Sequence, residues 1–319
     1  MKALVTSASR KLPLLRAIRG QLDSVGGPDA VLVVAADADP TALAAYAWPD
    51  FWAMPRIDSA PERVLAEVVG QGFDVLVPTS DADVAFYADH RDVLAARGVQ
   101  AMVAGPAAVR ACSDKVAFAA TLLDAGLPAI PTSLDPFDPL LGAAGRVVKE
   151  RRGAGAIGTA LDVDAETAAA LAEALAEPCF QPFVPGPELS IDAYRTRDGR
   201  LLGLVARTRD LVIGGESAVS TTVDSSPYAD LVRDVLACLD VSGHALVQVI
   251  ASPAGAVVVE CNARLGGAST LSLAAGLRSL AWFALEARGE DPAVLPFEPH
   301  DGPLRLVRSA QDVIDAPRL

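Results

Sequence analysis

Three short apolar runs, KALVTS at 2–7, AVLVVAAD at 30–37 and DVLVPTSD at 74–81, are separated by segments with helical spacing such as RKLPLLRAIRGQL and PERVLAEVVGQG. A strand that is apolar on both faces needs cover on both faces. Such strands alternating with amphipathic helices imply a parallel sheet covered by helices on either side. A ligand crevice in such a sheet lies at the carboxyl ends of its strands. Those ends are marked here by Ser7, Asp37 and TSDAD at 79–83. The first turn reads TSASRK and lacks GxGxxG, so the close backbone approach that a dinucleotide pyrophosphate needs is missing.

The 319 residues exceed what one core usually holds, so more than one lobe is expected. With 51% hydrophobic and 21% charged residues the composition is globular. A net charge of -13 repels phosphate backbones and anionic lipid, which argues against nucleic acid and membrane surfaces as partners. MKALVTSASRKL has no apolar signal core, no run is long enough to span a bilayer, and the four cysteines have no CxxC spacing. A cytoplasmic chain with reduced thiols is expected.

Beyond the first lobe the pattern changes. CSDKVAFAATLLDAGLP reads as a helix with Ser113 as N-cap and Gly126 as its C′ residue. GRVVKE is a strand leading into the glycine-rich RRGAGAIG, and VDAETAAALAEALAEP is a helix capped by Asp164. CFQPFVPGPELSIDAYRT is two strands about a turn at 185–187, and LLGLVARTRDLVIGGESAVSTTV continues as antiparallel sheet. One long helix is expected over GGASTLSLAAGLRSLAWFALEARG, and a packed tail from about Pro296.

The most informative stretch is VVVECNARLGG at 257–267. Period-two alternation puts Glu260, Asn262 and Arg264 on one face. Preceding it, ALVQVIA forms a hairpin partner around Pro253, Ala254 and Gly255, with a three-residue loop expected. Ser252 then pairs with Ala256, and Gln248 lies opposite Glu260 with Cβ atoms roughly 5 Å apart. A carboxylate with two amide oxygens is an oxygen-only set that suits Mg²⁺ completed by substrate phosphates. Arg264 follows it as a phosphoryl-oxygen ligand.

Lysine occurs only at Lys2, Lys11, Lys115 and Lys149 in a chain rich in arginine. The two mid-chain lysines mark places where a compact ammonium is needed. Lys115 opens a helix, and Lys149 ends a strand directly before the glycine loop. A glycine loop can turn its N–H groups toward phosphates, and a neighbouring lysine adds a point charge. No Walker-type GxxxxGK[ST] is present.

In this order the motifs resemble the ATP-grasp superfamily, in the branch near the carbamoyl-phosphate synthase large chain, over about residues 1–290. The resemblance implies an α/β fold, α+β in its later part: a parallel-sheet pre-ATP-grasp domain over 1–110, a small lid lobe over 111–185, and a C-terminal lobe with metal strands and tail over 186–319. It implies ATP as cosubstrate, with one or two Mg²⁺, or Mn²⁺ in their place. By this likeness Lys115 and Lys149, with Gly153, Gly155 and Gly158, bind ATP phosphates. Gln181, Phe183 and Val184 line the adenine pocket, and Glu188 sits near the ribose. Gln248, Glu260 and Asn262 bind metal, with Gln248 also at the nucleotide. Arg264 contacts the transferred phosphoryl group, and Arg207 and Ser217 the carboxylate substrate.

The sequence departs from the family pattern at Glu150, at Ala156-Ile157 and at Ala263. A single ATP-grasp unit without glutamine chemistry argues against carbamoyl phosphate as product. The implied activity is an ATP-dependent carboxylate–amine ligase working through an acyl phosphate on small, amino-acid-like substrates, with a homodimer the assembly common in families of this type. The alternatives are a kinase-like phosphotransferase and a nucleotide-binding regulator without turnover.

Overall fold

The computed structural model describes residues 1–27, 30–153, 158–252, 255–310 and 312–314. Strands β1 (Lys2–Thr6), β2 (Leu32–Asp37), β3 (Phe51–Ala53), β4 (Val75–Pro78) and β5 (Gln100–Ala101) form a parallel sheet in the order β3-β2-β1-β4-β5. β3 is an addition to the strands read from sequence. Strands β1 and β4 are buried along almost their whole length, as two-sided cover requires.

Strands β6 (Arg146–Glu150), β7 (Ala160–Val163) and β8 (Pro178–Pro182) make a small antiparallel sheet in the order β7-β6-β8. The large antiparallel sheet runs β11-β12-β10-β9-β13-β14, built from β9 (Glu188–Arg195), β10 (Leu201–Thr208), β11 (Leu211–Ile213), β12 (Glu216–Val223), β13 (Gly243–Ser252) and β14 (Gly255–Asn262). The tail packs as expected: β15 (Arg305–Val307) pairs with β12. β8 and β9 are consecutive in sequence yet belong to different sheets. Between them Gly186 has φ 148°, and a Cβ there would lie 2.5 Å from the Ala251 carbonyl oxygen.

One core joins Leu4, Leu76 and Val103 beside the parallel sheet to Ile191, Val247 and Val258 of the large sheet. A second lies on the other side of β1, where Val5 and Ile18 meet Leu277, Leu280 and Trp282. The small sheet has its own modest core of Leu141, Val148, Ala168 and Phe180. Helix Lys115–Asp124, grouped with the lid lobe in the sequence reading, buries Phe118 and Leu122 in the first core.

Two helical segments are interrupted. ADVAFYADHRDVLAARG at 82–98, whose spacing suggests one helix, breaks at His90 into Asp81–Asp89 and Arg91–Ala95. The one over 266–289 breaks into Ser269–Ala274 and Ser279–Ala287. Its break has a physical cause: Gly276 has φ 104°, and a Cβ there would sit 2.1 Å from the Glu298 carbonyl oxygen of the tail.

Asp192 lies at the centre of the large sheet with no exposure. It accepts from Arg207 Nε at 2.9 Å and Ser272 Oγ at 2.7 Å, accepts also from Ser269 Oγ, and hydrogen-bonds with His244 Nε2 at 3.0 Å. Despite desolvation, which opposes ionisation, the Arg207 charge and these donors hold its carboxyl below the usual range. Removing one partner of a buried pair leaves the other uncompensated. Asp192→Ala is therefore expected to cost about 3–5 kcal/mol in urea-induced unfolding.

Candidate active site

The site gathers where β14, the end of β6 and the carboxyl edge of the parallel sheet come together. Gln248 faces Glu260, as expected, but by a different route. The expected loop residues Pro253 and Ala254 lie outside the described residues. Ser252 pairs with Gly255, not with Ala256. That register alone would move Gln248 to the wrong face. A bulge corrects it: Val249 pairs with Val258 and Gln248 with Glu260, leaving Val259 as the extra residue.

Gln248 is buried, and its Nε2 donates to Glu188 Oε1 on β9. Asn262 Nδ2 donates to Glu260 Oε1 at 3.1 Å. These bonds use the amide N–H groups and leave the amide oxygens of Gln248 and Asn262 and the second Glu260 oxygen without a donor among the described residues. Three oxygens, one of them anionic, fit a hard divalent cation. Among the described residues no group of three or more His, Cys, Asp and Glu side chains is placed to hold a metal. An ion here would need phosphate oxygens to complete its shell.

The strand ends at Asn262, and the Arg264 N–H donates back to the Asn262 carbonyl oxygen at 2.8 Å. Arg264 is therefore placed by a turn, not by strand alternation. Its guanidinium holds Asp81 of the first lobe in a fork, Nε to Oδ1 at 2.5 Å and Nη2 to Oδ2 at 2.8 Å. It is 15% exposed. Asp81 opens helix Asp81–Asp89, which Ser80 caps by accepting from the Asp83 N–H. Neither Asp81 nor its partnership is evident from the motif around Arg264.

Lys149 projects from β6, half-buried, and its ammonium has no hydrogen-bond or ion-pair partner among the described residues. Desolvation lowers its pKa; Glu260 opposes that shift and Lys115 adds to it. Lys115 is buried at the start of its helix and donates to the Gly153 carbonyl oxygen at 3.1 Å. Gly153 has φ 112° and Gly158 has φ 69°; Gly155 lies outside the described residues. The helix cap is Asp114, not Ser113, which ends the preceding helix Pro106–Ser113. Asp114 accepts the N–H groups of Val116 and Ala117 and is gripped by Arg151 at 2.6–3.0 Å and by Arg152 at 2.9 Å. A carboxylate outcompetes the hydroxyl because it serves the helix N-terminus and two arginines at once. Glu150, a departure from the family pattern, accepts the N–H groups of Ala176 and Glu177 at 2.8 and 2.9 Å.

Gln181 is buried on β8, with Nε2 donating to Thr132 Oγ1 at 2.8 Å. The Phe183 N–H is taken by the Gly145 carbonyl oxygen at 2.7 Å, whereas the Val184 N–H makes no hydrogen bond among the described residues. Glu188 also forms an ion pair with Arg209 at 3.3 Å. Arg207 needs correction as a substrate-facing residue: it is 1% exposed and committed to Asp192. Ser217 is likewise buried, with no partner for its hydroxyl among the described residues. His244, which carries no motif, is structural, bridging Asp192 and Ser279.

A family model described as an ATP-grasp domain matches residues 112–268, which span both lysines, the glycine loop and the strand pair β13–β14. Residues 112–268 are thus an ATP-grasp domain. Among curated proteins, none matches this sequence. Solved structures of similar fold include the L-amino acid ligase of Bacillus licheniformis, at 17% identity and TM-score 0.68, covering 93% of this chain and 77% of that one. The N5-carboxyaminoimidazole ribonucleotide synthetase of Thermus thermophilus is similar at 17% identity and TM-score 0.69, covering 94% and 80%. The biotin carboxylase domain of the Hydrogenobacter thermophilus 2-oxoglutarate carboxylase, solved with MgADP, ADP and bicarbonate, is similar at 15% and 0.69, covering 91% and 70%. The mixed α/β class, with a parallel sheet first and antiparallel sheets after, agrees with this fold.

The Arg151 bond, with the helix N–H groups, holds the Asp114 carboxyl at about 2, below the ordinary 3.8, against the desolvation of its buried site. A depressed carboxyl stabilises the fold above the unfolded value and loses that contribution as pH falls through the folded one. Asp114→Asn is thus expected to lower the unfolding midpoint at neutral pH and to flatten its fall between the ordinary value and about 2, measured by thermal denaturation across that window.

Proposed function

We propose that this ATP-grasp chain is an ATP-dependent ligase that joins a small carboxylate to an amine. The observation that carries the reading is the Lys149 ammonium, desolvated and unpartnered among the described residues, beside a row of oxygens that has room for a cation. A part-buried cation without a counter-charge is costly. A polyphosphate would supply the counter-charge to Lys149 and the missing oxygens to the row.

In this reading Lys115 and Lys149 hold phosphate oxygens, with Gly153, Gly155 and Gly158 shaping the loop over them. Gln181, Phe183 and the free N–H of Val184 face the adenine, and Glu188 the ribose. Gln248, Glu260 and Asn262 hold one or two Mg²⁺, or Mn²⁺, which when bound neutralise phosphate charge. A substrate carboxylate oxygen attacks the terminal phosphorus and ADP leaves, giving an acyl phosphate. Arg264 stabilises the charge on the transferred group. The amine then attacks the carbonyl carbon, the C–O bond to phosphate breaks, and the amine's proton passes to phosphate or water. Most of the catalysis is positioning and electrostatics. Because the reaction consumes ATP, we place it in the cytoplasm, with amino-acid-like substrates.

The test is incubation with ATP, Mg²⁺ and hydroxylamine across pools of carboxylates, assaying ADP and hydroxamate. Both products together are expected. ADP without hydroxamate would mean a phosphotransferase, and nucleotide binding without either product a regulator. Glu260→Gln and Lys149→Ala should each slow ADP formation by on the order of 10²–10³-fold with the circular dichroism spectrum unchanged. Near-normal turnover in either variant would remove that residue from the site.

A further inference from the structure

Lys11 lies where β1 gives way to helix Leu12–Gly26, at the carboxyl edge of the parallel sheet. Its ammonium donates to the carbonyl and hydroxyl oxygens of Thr79 at 2.7 and 2.8 Å. An ammonium has three donors, so one is left over. Among the described residues no carboxylate is within ion-pair distance of it, although the group is half-buried.

The other charges around this crevice are provided for. Arg264 is held by Asp81, and Arg308 by Glu216. Asp37 accepts the N–H groups of Ser9 and Asp39, and Asp83 accepts the Thr6 hydroxyl. Lys11, by contrast with Arg264 and Arg308, has only the neutral oxygens of Thr79. Desolvation lowers its pKa, and the next cause is the positive field of Arg264. Lys11 is bonded to Thr79 and Arg264 to Asp81, two residues along the same segment, so two cations face one crevice, one from the first lobe and one from the turn after β14. Asp83, Glu216 and Asp37 act on Lys11 more weakly and in the opposite sense. This mixture suits a ligand with one anionic and one cationic group better than a dianion.

We propose that the free donor of Lys11 binds the carboxylate of an amino-acid substrate, seated between the carboxyl edge of the parallel sheet and Arg264. The inference deepens the ligase reading and rests on it for the ligand's part in the reaction. That carboxylate is either the one activated or the one carried by the amine.

The chain's four lysines allow a direct test. Labelling with ε-¹³C lysine gives one resonance for each, with Lys11→Met and Lys2→Arg for assignment. Lys2, bonded to the Gln71 carbonyl oxygen, is the internal reference. Titration with potassium acetate and with glycine at constant ionic strength should shift the Lys11 resonance saturably and beyond that of Lys2. If Lys11 merely tracks Lys2, or only Lys115 and Lys149 respond, the proposal is overturned. MgADP should move Lys115 and Lys149. If it does not while Lys11 still answers to carboxylate, the nucleotide reading fails and the Lys11 site stands.

The hydroxylamine assay separates the two sources, because hydroxylamine has no carboxylate. Loss of hydroxamate in Lys11→Met identifies the activated acid. Retained hydroxamate with loss of the amide from an amino-acid amine identifies the nucleophile. No loss of either product would overturn the assignment.

Discussion

The buried carboxylate of Asp192 is the constraint on which the large sheet and its neighbours depend. It ties Arg207 on β10 and His244 on β13 to the two serines of helix Ser269–Ala274. A charge in that position is tolerable only because each oxygen is met by donors and one donor is a cation. Ser269 also accepts the Gly266 N–H at 2.7 Å, so the network reaches the loop that follows Arg264. A Cβ on Gly266 would come 2.5 Å from Leu246, which leaves that loop little freedom. The guanidinium at the crevice is thus positioned by a charge it does not touch.

From this base the charged groups form a continuous series. Lys149 feels Glu260, Arg264 feels Glu260 and Glu216, and Lys11 feels Arg264. The series begins on the small sheet, crosses the end of β14 and finishes on the parallel sheet. Each sheet contributes one cation, and none of the three cations has its neighbour in the series as a direct ion-pair partner. A ligand spanning the series would be gripped from three different sheets, which is how a shared site turns binding into orientation.

Much of this was legible in sequence because it follows from periodicity. The parallel sheet is announced by β1, β2 and β4, whose central residues are all apolar, and the row Glu260, Asn262 by alternation. Gln248 opposite Glu260 was also legible, yet the local argument for it was incomplete. A shorter loop and the bulge at Val259 offset one another, and nothing in VVVEC signals a bulge. What the sequence could not show was the competition between distant partners. Asp114 takes the cap from Ser113 because Arg151 and Arg152 arrive from the small sheet. Arg207 reads as a ligand for substrate until Asp192 is seen beneath it. Lys11 was visible as one of four lysines, but its place beside Thr79, two residues from the Asp81 that holds Arg264, exists only in three dimensions.

The small sheet carries a core of its own and shares none with the rest of the described chain. What fastens it to the body is polar: Arg151 on Asp114, Lys115 on Gly153, and Gln181 on Thr132. Water can replace such contacts at little cost, whereas parting an apolar interface exposes oily surface. Parting this sheet from the body would therefore expose little of the three cores and would mainly exchange polar contacts, the Asp114 ion pairs among them, for water. A highly charged ligand lying beneath β6 could tip that balance with its own contacts alone.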